Sequence, residues 1–515
     1  MELTTVSIII LNYNGLEHAE HCLTSLAGMD FPSSQREIIM VDNASTDGSA
    51  ELIARQYPHV RLIRSAINLG FSQGANLGAS AATGKYLAFL NNDMRVSPTW
   101  LSELVKTALA DGQCAVIGSA ILNWEGIAHD FVGRPDDAFC LASAPHPLPT
   151  YAMPDGVRHF LFVSAGAALV RADAFRECGG FDPDYFMYHE DVDLCWRLWL
   201  RGYKCALTPQ SITYHRGGAS SGKLPADYIQ GMAQKHALFT LFKNLEAETL
   251  KEWLPLVFYV LLERGRWAEP LRVSLAEAVE EFLASLEPLL VKRAEIQRTR
   301  VVSDTELFSQ LGHPFEFLLR NEHYQTIKRR LMTRCSKVEF DLNAGPAAAL
   351  RGALAEWLNA AHFTLEHDWI AEINERENER TTLSRRYDEL NEAFAQSAET
   401  ARALTSQVDT LSSQLAVKEG LFHALTAELA ETNSTHATQL ALKEQQLQAL
   451  TAELAETSSQ LSRQLVTSVA QTGALTAELD QIKSSRGWRW LGFYWELKHR
   501  YLLPVCRWLG FSRTR

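Results

Sequence analysis

Over the first 240 residues, short apolar runs alternate with amphipathic ones. Residues 6–11 form a strand-length apolar run, and residues 17–26 follow with a helical pattern. Residues 37–41 predict a second strand and 49–56 a second helix. Two more strands are predicted at 60–64 and 86–90. Strands separated by helices of this length predict a parallel, doubly wound α/β sheet. Ligands of such sheets bind where the strands end at their carboxyl side. Asn12, Asp42 and the Asn91-Asn92-Asp93 run all fall at those ends.

From about 245 to 375 the pattern is helical, broken near Pro270, Pro288, Pro314 and Pro346, and carries no identifiable chemistry. No proline occurs between Pro346 and Pro504. Within that stretch a seam runs from Leu383 through Tyr387, Leu390 and Phe394 to Leu411 and Leu415, at alternating four- and three-residue spacings. Such a seam predicts a coiled coil with a partner strand. The hexapeptide Ala-Leu-Thr-Ala-Glu-Leu starts at Ala424, Ala449 and Ala474, each 25 residues on. That period is about 3.57 residues per turn over seven turns, so each repeat returns to nearly the same face. At roughly 1.5 Å per residue, a continuous helix of about 100 residues would reach on the order of 150 Å.

The tail from Lys483 carries eight Lys or Arg against one acid, Glu496, and four of the chain's twelve tryptophans. A basic, aromatic amphipathic helix is suited to an anionic membrane surface. The chain as a whole has a formal charge of −12 and ordinary globular composition, 46% hydrophobic and 21% charged. The charge argues against a general nucleic-acid binder, and the composition argues against disorder. Its eight cysteines form no Cys-x-x-Cys pair, which leaves zinc ribbons and thioredoxin-like chemistry unsupported. The first apolar run is too short for a secretory h-region, and no run approaches the ~20 residues of a spanning helix. The expectation is a cytoplasmic protein, peripheral at the cytoplasmic face of the inner membrane.

Several segments carry candidate chemistry. Residues 41–49 place Asp42 and small polar residues just past a strand, with Ser45 or Thr46 expected to cap the next helix. The glycine-rich run 68–78 lacks the Gly-Lys-Ser/Thr of a P-loop and reads as a turn opening a helix. An apolar strand that delivers Asn91, Asn92 and Asp93 to its exit offers oxygen ligands to a hard divalent cation. Glu190, Asp191 and Asp193 crowd a helix start, where acids complement the helix dipole or supply a general base.

Taken in order, these motifs resemble family-2 glycosyltransferases of the GT-A fold, over roughly residues 4–245. The set comprises Leu11 to Asn14, residues 41–49, Asn68 to Phe71, Phe89 to Asp93, Gly179 to Asp182, Glu190 to Leu194 and Tyr214-His215-Arg216. Among them the rhamnosyltransferase-type enzymes of bacterial surface polysaccharide synthesis are most similar. The resemblance implies that Asn12 and Asp42 hold the nucleoside of a nucleotide-sugar, with Asn68, Asn76, Asn91 and Asn92 in the same pocket. It implies Asp93 and His215 as ligands of Mg²⁺ or Mn²⁺, and Asp191 as the catalytic base beside Glu190. Asn91 and Asn92 stand where many members have aspartates, which lowers the negative charge at the metal site.

The expected organisation is a GT-A (Rossmann-like) nucleotide-sugar domain over 1–243, a helical extension over 244–375, a coiled coil over 376–482 and the basic tail over 483–515. The expected activity is inverting transfer from a nucleotide-sugar, with dTDP-rhamnose as the donor considered first, to a lipid-linked or polysaccharide acceptor. Expected partners are the donor, that acceptor, the membrane surface through 483–515, and a second copy or another chain through the coiled coil. Nucleic acid is not among them. A competing reading is a coiled-coil scaffold with a degenerate transferase domain, and a third makes the coiled coil a molecular ruler.

Overall fold

In the computed structural model, residues 4–127, 129–131, 156–216, 224–266, 269–313, 315–335, 347–431 and 437–484 are described. Ten strands form one sheet: β1 (Val6–Asn12), β2 (Arg36–Asp42), β3 (Arg61–Arg64), β4 (Tyr86–Asn91), β5 (Met94–Val96), β6 (Cys114–Asn123), β7 (His129–Phe131), β8 (Arg158–His159), β9 (Ala167–Arg171) and β10 (Lys204–His215). Their order is β3-β2-β1-β4-β9-β6-β10-β5, with β7 against β6 and β8 against β10. Helices α1 (Leu16–Ala27), α2 (Ser49–Gln56), α3 (Gly70–Ser80), α4 (Trp100–Ala110), α5 (Ala172–Glu177) and α6 (Glu190–Leu200) connect them. The first four predicted strands and the helices between them therefore form within a residue or two of their expected bounds. Strands β1 and β4 are near-continuous apolar runs because both faces of the sheet are covered.

The sheet is mixed, however, and not wholly parallel as expected. β9 runs antiparallel between β4 and β6, and β5 runs antiparallel to β10. A parallel neighbour needs a crossover connection that carries the chain back to the strand's starting edge. Residues 160–166 bring the chain instead to the carboxyl edge of β4, where Ala167 pairs with Leu90. From there β9 can only run back. The result is that Ser164, Ala165 and Gly166 lie at the edge where ligands bind.

Helices α7 (Ala226–Asn244), α8 (Ala247–Gly265), α9 (Glu269–Ala284), α10 (Leu286–Thr299), α11 (Asp304–Leu311), α12 (Glu316–Arg320) and α13 (Glu322–Cys335) pack against α6 and one another. Pro270 and Pro288 fall in the first turns of α9 and α10, where proline's missing N–H costs little, so they open helices. One core joins Trp196, Leu198 and Trp199 of α6 to Phe242 of α7, Trp253 and Phe258 of α8 and Phe282 of α9. The carbonyls at the end of α7 are capped from α10 and the residue after it: Arg293 donates to Leu245 O at 2.7 Å, Gln297 to Lys243 O at 3.0 Å, and Arg300 to Asn244 O.

Residues 1–367 form one unit and 368–515 a second. In the second, the expected single rod is two helices, α14 (Ala347–Glu431, which begins in the first unit) and α15 (Ala437–Ser484). Between them lies Thr-Asn-Ser-Thr-His, a run of weak helix formers that no proline marks. The helices pair antiparallel. Ser397 and Ser468 exchange hydroxyl-to-carbonyl bonds at 3.4 Å, and Leu411 shares a crevice with Leu461. Two positions of the seam read from Leu383 to Leu415, Ser397 and Leu411, thus meet α15 of the same chain. The tail expected at the membrane lies outside the described residues, apart from Lys483 and Ser484. Among the described residues no helix is long and apolar enough to cross a membrane.

Candidate active site

The carboxyl ends of β1 and β2 meet in a buried polar cluster. Asn12, wholly buried, donates from its amide to Asp42 Oδ1 at 3.2 Å, Ser45 Oγ at 3.1 Å and Ser49 Oγ at 2.8 Å. Its amide oxygen accepts from Asn92 Nδ2 at 2.9 Å. Every polar atom of Asn12 is therefore engaged, and its job is to align the ends of β1, β2 and β4. Gly15 makes this possible, since a Cβ there would fall 2.0 Å from Asn92 Nδ2. Ser45 bonds Asn12 and the Asn14 N–H instead of capping α2 as expected. Asp47 does the neighbouring work, accepting from the backbone N–H groups of Ser49 and Leu16.

Asn68 joins this cluster through Asn43, whose amide donates to Asn68 Oδ1 at 2.8 Å while its own oxygen accepts from Leu69 N. Asn76 does not join it. Both ends of its amide are taken by the Phe181 backbone, N–H at 3.0 Å and carbonyl at 2.7 Å, which pins α3 to the loop before α6.

Past β4 the three polar residues part company. Asn91 ends the strand, its N–H on Gly166 O, and Asn92 turns to Asn12. Asp93 is turned the other way: its Oδ2 lies 3.3 Å from His215 Nε2 at the end of β10. Asp93 is only 9% exposed, and its Oδ1 has no hydrogen-bond partner among the described residues. A buried carboxylate oxygen without a donor is costly, and one beside an imidazole nitrogen suits a divalent cation. A second cluster of candidate ligands, Asp111, Cys114 and His159, lies at the start of β6, where Lys204 approaches Asp111 to 3.5 Å. That is the opposite end of β6 and β10 from His215.

The acidic run Glu190 to Asp193 opens α6 and divides into three environments. Two consecutive non-glycine residues, Tyr188 and His189, precede it in the left-handed region, with φ of 67° and 68°. Such backbone persists only where its surroundings enforce it. Here the enforcing group is His236 on α7, whose Nδ1 lies 2.9 Å from Met187 O and 3.0 Å from Tyr188 O. Burial, then the charge of Lys235, holds the His236 imidazole down to about 4, so it is neutral. Two carbonyls at Nδ1 require the proton there, leaving Nε2 bare. Its ring packs against Tyr185, whose hydroxyl is 2.8 Å from Thr240 Oγ1.

The turn aims Asp191 at the sheet edge. Its Oδ2 accepts from Ala165 N at 3.3 Å and its Oδ1 from its neighbour Val192 N at 2.8 Å. Burial nonetheless pushes Asp191 up to about 6, against those two bonds. Since Ala165 and Gly166 tie Asp191 and Asn91 to one short segment, the acid stands beside the end of β4. Glu190 is buried, and its Oε2 has no partner among the described residues. Burial and then the charge of Asp191 push its carboxyl well above the usual carboxylate range.

Asp193 has a different task. It is wholly buried, and although burial alone would raise its pKa, Arg197 at 2.8 Å and Lys243 at 2.9 Å hold it down. Lys243 also pairs with Asp182, which Lys292 of α10 contacts in turn. This charge network fastens the helical extension to α6. Ser164 to Gly166, His236 and Lys243 all shape the site without any motif that marks them as doing so. The polar residues Gln234, His236, Thr240, Lys243 and Asn244, set among Ala237, Leu238, Phe239, Leu241 and Phe242 of α7, were the available signal, because buried polar groups need partners.

Residues 7–179 match the family model described as Glycosyl transferase family 2. Glu190, Asp191 and His215 lie beyond that segment. An N-acetylglucosaminyl-diphospho-decaprenol L-rhamnosyltransferase of Mycobacterium tuberculosis is 25% identical over 322 residues, 57% of this chain and 94% of that protein. The O-antigen biosynthesis protein RfbC of Myxococcus xanthus is 30% identical over 196 residues, 36% of this chain but 15% of that protein. Among solved structures, S. aureus TarS 1-349 in complex with UDP-GlcNAc aligns with a TM-score of 0.43 and 13% identity, over 72% of this chain and 92% of that one. Residues 7–179 are accordingly a glycosyltransferase family 2 domain, and the chain that carries them is a glycosyltransferase.

Proposed function

We propose that this enzyme transfers a sugar from a nucleotide-activated donor to a lipid-linked or polysaccharide acceptor, with inversion at the anomeric carbon. The observation that carries the reading is the placement of Asp191: a carboxylate raised to about 6, tied through Ala165 and Gly166 to the strand end that leads into Asp93. A base with that pKa is ionised at neutral pH yet basic enough to take a proton. Rhamnose, carried by dTDP, is the donor sugar we favour. The support is the M. tuberculosis relative, an L-rhamnosyltransferase that aligns along nearly its whole length.

In the proposed reaction the acceptor hydroxyl gives its proton to Asp191 as its oxygen attacks the anomeric carbon. The bond to the nucleoside diphosphate breaks on the opposite face. Glu190, whose burial disfavours its charged form, stands beside the base. Asp42, on the edge that Asn12 aligns, accepts from the nucleoside. Asp93 and His215 would hold Mg²⁺ or Mn²⁺, which supplies charge neutralisation at the departing diphosphate. Asn92 is committed to Asn12, so Asp93 is the carboxylate on which cation affinity depends.

Incubating the purified full chain with a panel of nucleotide-sugars, with and without Mn²⁺, and reading nucleoside diphosphate release by mass spectrometry tests this reading. Turnover of dTDP-rhamnose above other donors is the expected result. Silence with every donor would defeat it.

His236 should matter although it touches no substrate. His236→Phe keeps the ring packed on Tyr185 but loses the N–H that holds the turn at 187–189. The expected outcome is a fall in kcat on the order of tenfold or more, because small misplacements of a base are costly, with the donor KM little changed. His236→Asn, whose amide can reach both carbonyls, should recover much of that activity. Equal kcat in wild type and His236→Phe would show that the turn holds itself.

A further inference from the structure

Two arginines beside Asp93 have no part in the mechanism above. Arg95 lies on β5, paired in register with Tyr214 on β10, and its guanidinium carbon sits 3.9 Å from the Tyr214 ring centroid and 5.0 Å from that of Trp124. Arg216 follows His215 directly and reaches the same indole at 5.4 Å. Trp124 itself is braced by His21 of α1, edge to face at 5.7 Å. Arg95 donates to Trp124 O at 3.0 Å. Neither guanidinium has a carboxylate partner among the described residues, whereas the arginines buried in this fold next to acids, Arg197 and Arg300, are ion-paired.

A guanidinium stacked on an aromatic ring spends its flat face there and leaves its N–H edge for oxygens in its own plane, the geometry that phosphate matches. Two such groups on one indole concentrate positive charge at this edge of the sheet. They also flank Asp93 on the side away from the nucleoside cluster. Asn92 bonds Asn12, while the carbonyl of Asp93 accepts from the Arg216 backbone N–H at 3.1 Å. The leaving diphosphate is assigned to Asp93 and His215. A second anion arriving next to it from the β5–β10 side belongs to the other substrate.

We propose that Arg95 and Arg216, seated on Trp124 and Tyr214, form an anion subsite that takes the diphosphate of a lipid-linked acceptor. The proposal rests on the reading of the Asn12–Asp42 edge and Asp93 as the donor site. It narrows the acceptor to one that carries a diphosphate close to the sugar being extended, and it therefore places this reaction after one that joins a sugar phosphate to a lipid phosphate. The protein contacts the acceptor's charge through side chains alone, so this subsite needs no cation.

Calorimetry on the full chain, with farnesyl diphosphate as a soluble lipid diphosphate and farnesol as its uncharged counterpart, tests the subsite. Titrations are run with and without saturating dTDP or UDP. The expected result is binding of farnesyl diphosphate but not farnesol, retained when the nucleotide is present. Arg216→Gln, a change at an exposed side chain, should weaken it by about tenfold or more, as loss of a charge-assisted contact does. The double change with Arg95→Gln should weaken it further, while nucleotide affinity stays as in wild type. Competition between nucleotide and farnesyl diphosphate would assign the arginines to the donor and overturn the proposal, as would undiminished binding in the double variant. Failure of both nucleotides to bind would count against the donor reading alone, since the loss of farnesyl diphosphate binding in the variants would still be measured.

Discussion

Asp191→Asn is expected to lower kcat/KM for sugar transfer by about 10²- to 10⁴-fold, the span that removal of a general base commands. The pH profile should change with it. In the wild type the rate should climb with pH through about 6, where Asp191 ionises, and level off above. In the Asn variant that acidic limb should vanish. Folding gives an independent control. The folded-state value of Asp191 is raised from 3.8 to about 6, so its stabilising contribution is full below 3.8 and is lost as pH rises through about 6. At pH 7 the buried charge is a burden, and the Asn variant should melt no lower than wild type. A variant that keeps its acidic limb, or loses less than about tenfold in rate, would hand the role of base to another group.

Asp93→Ala should remove most of the cation affinity and, with it, at least about 10²-fold in transfer, because charge neutralisation at the leaving group is worth several kcal/mol. Binding of Mn²⁺ followed by electron paramagnetic resonance in the presence of dTDP or UDP reads the site apart from turnover. Wild type should bind Mn²⁺ only once nucleotide supplies phosphate oxygens, since one carboxylate and one imidazole make a sparse ligand set. His215→Ala should follow Asp93→Ala in kind. Asn92→Asp should do something different: it breaks the bond to Asn12 and places a second acid near Asp93. If Mn²⁺ affinity in Asp93→Ala matched wild type, the cation would have to sit elsewhere.

Much of this molecule is visible along the chain because local rules decide it. The apolar run of β1, the helix over residues 49–56 and the polar ends of β1, β2 and β4 follow from periodicity and from where side chains leave a buried strand. The seam from Leu383 to Leu415 is equally plain. What periodicity lacks is direction and partnership. Nothing in the five residues Ala167–Arg171 says that they run antiparallel between β4 and β6. That depends on the edge at which the preceding segment delivers the chain, and it is what brings Ala165 to Asp191. The same limit hid the pairing of α14 with α15.

The acids show the division most clearly. By itself, the sequence put Asp93, Glu190, Asp191 and Asp193 in a family of polar positions at element ends, all available for chemistry. Only the tertiary structure gave each its environment. Asp193 meets Arg197 and Lys243 in the dry interior and becomes a fastening. Glu190 meets no cation among the described residues, and burial disfavours its charge. Asp191 meets a backbone N–H of Ala165, and Asp93 meets His215 with one oxygen left over. Ala165, Lys243 and His215 lie within a few ångströms of Asp191, Asp193 and Asp93 but 26, 50 and 122 residues away along the chain. A carboxylate's charge depends on its burial and partners, and no pattern of neighbours in sequence specifies those.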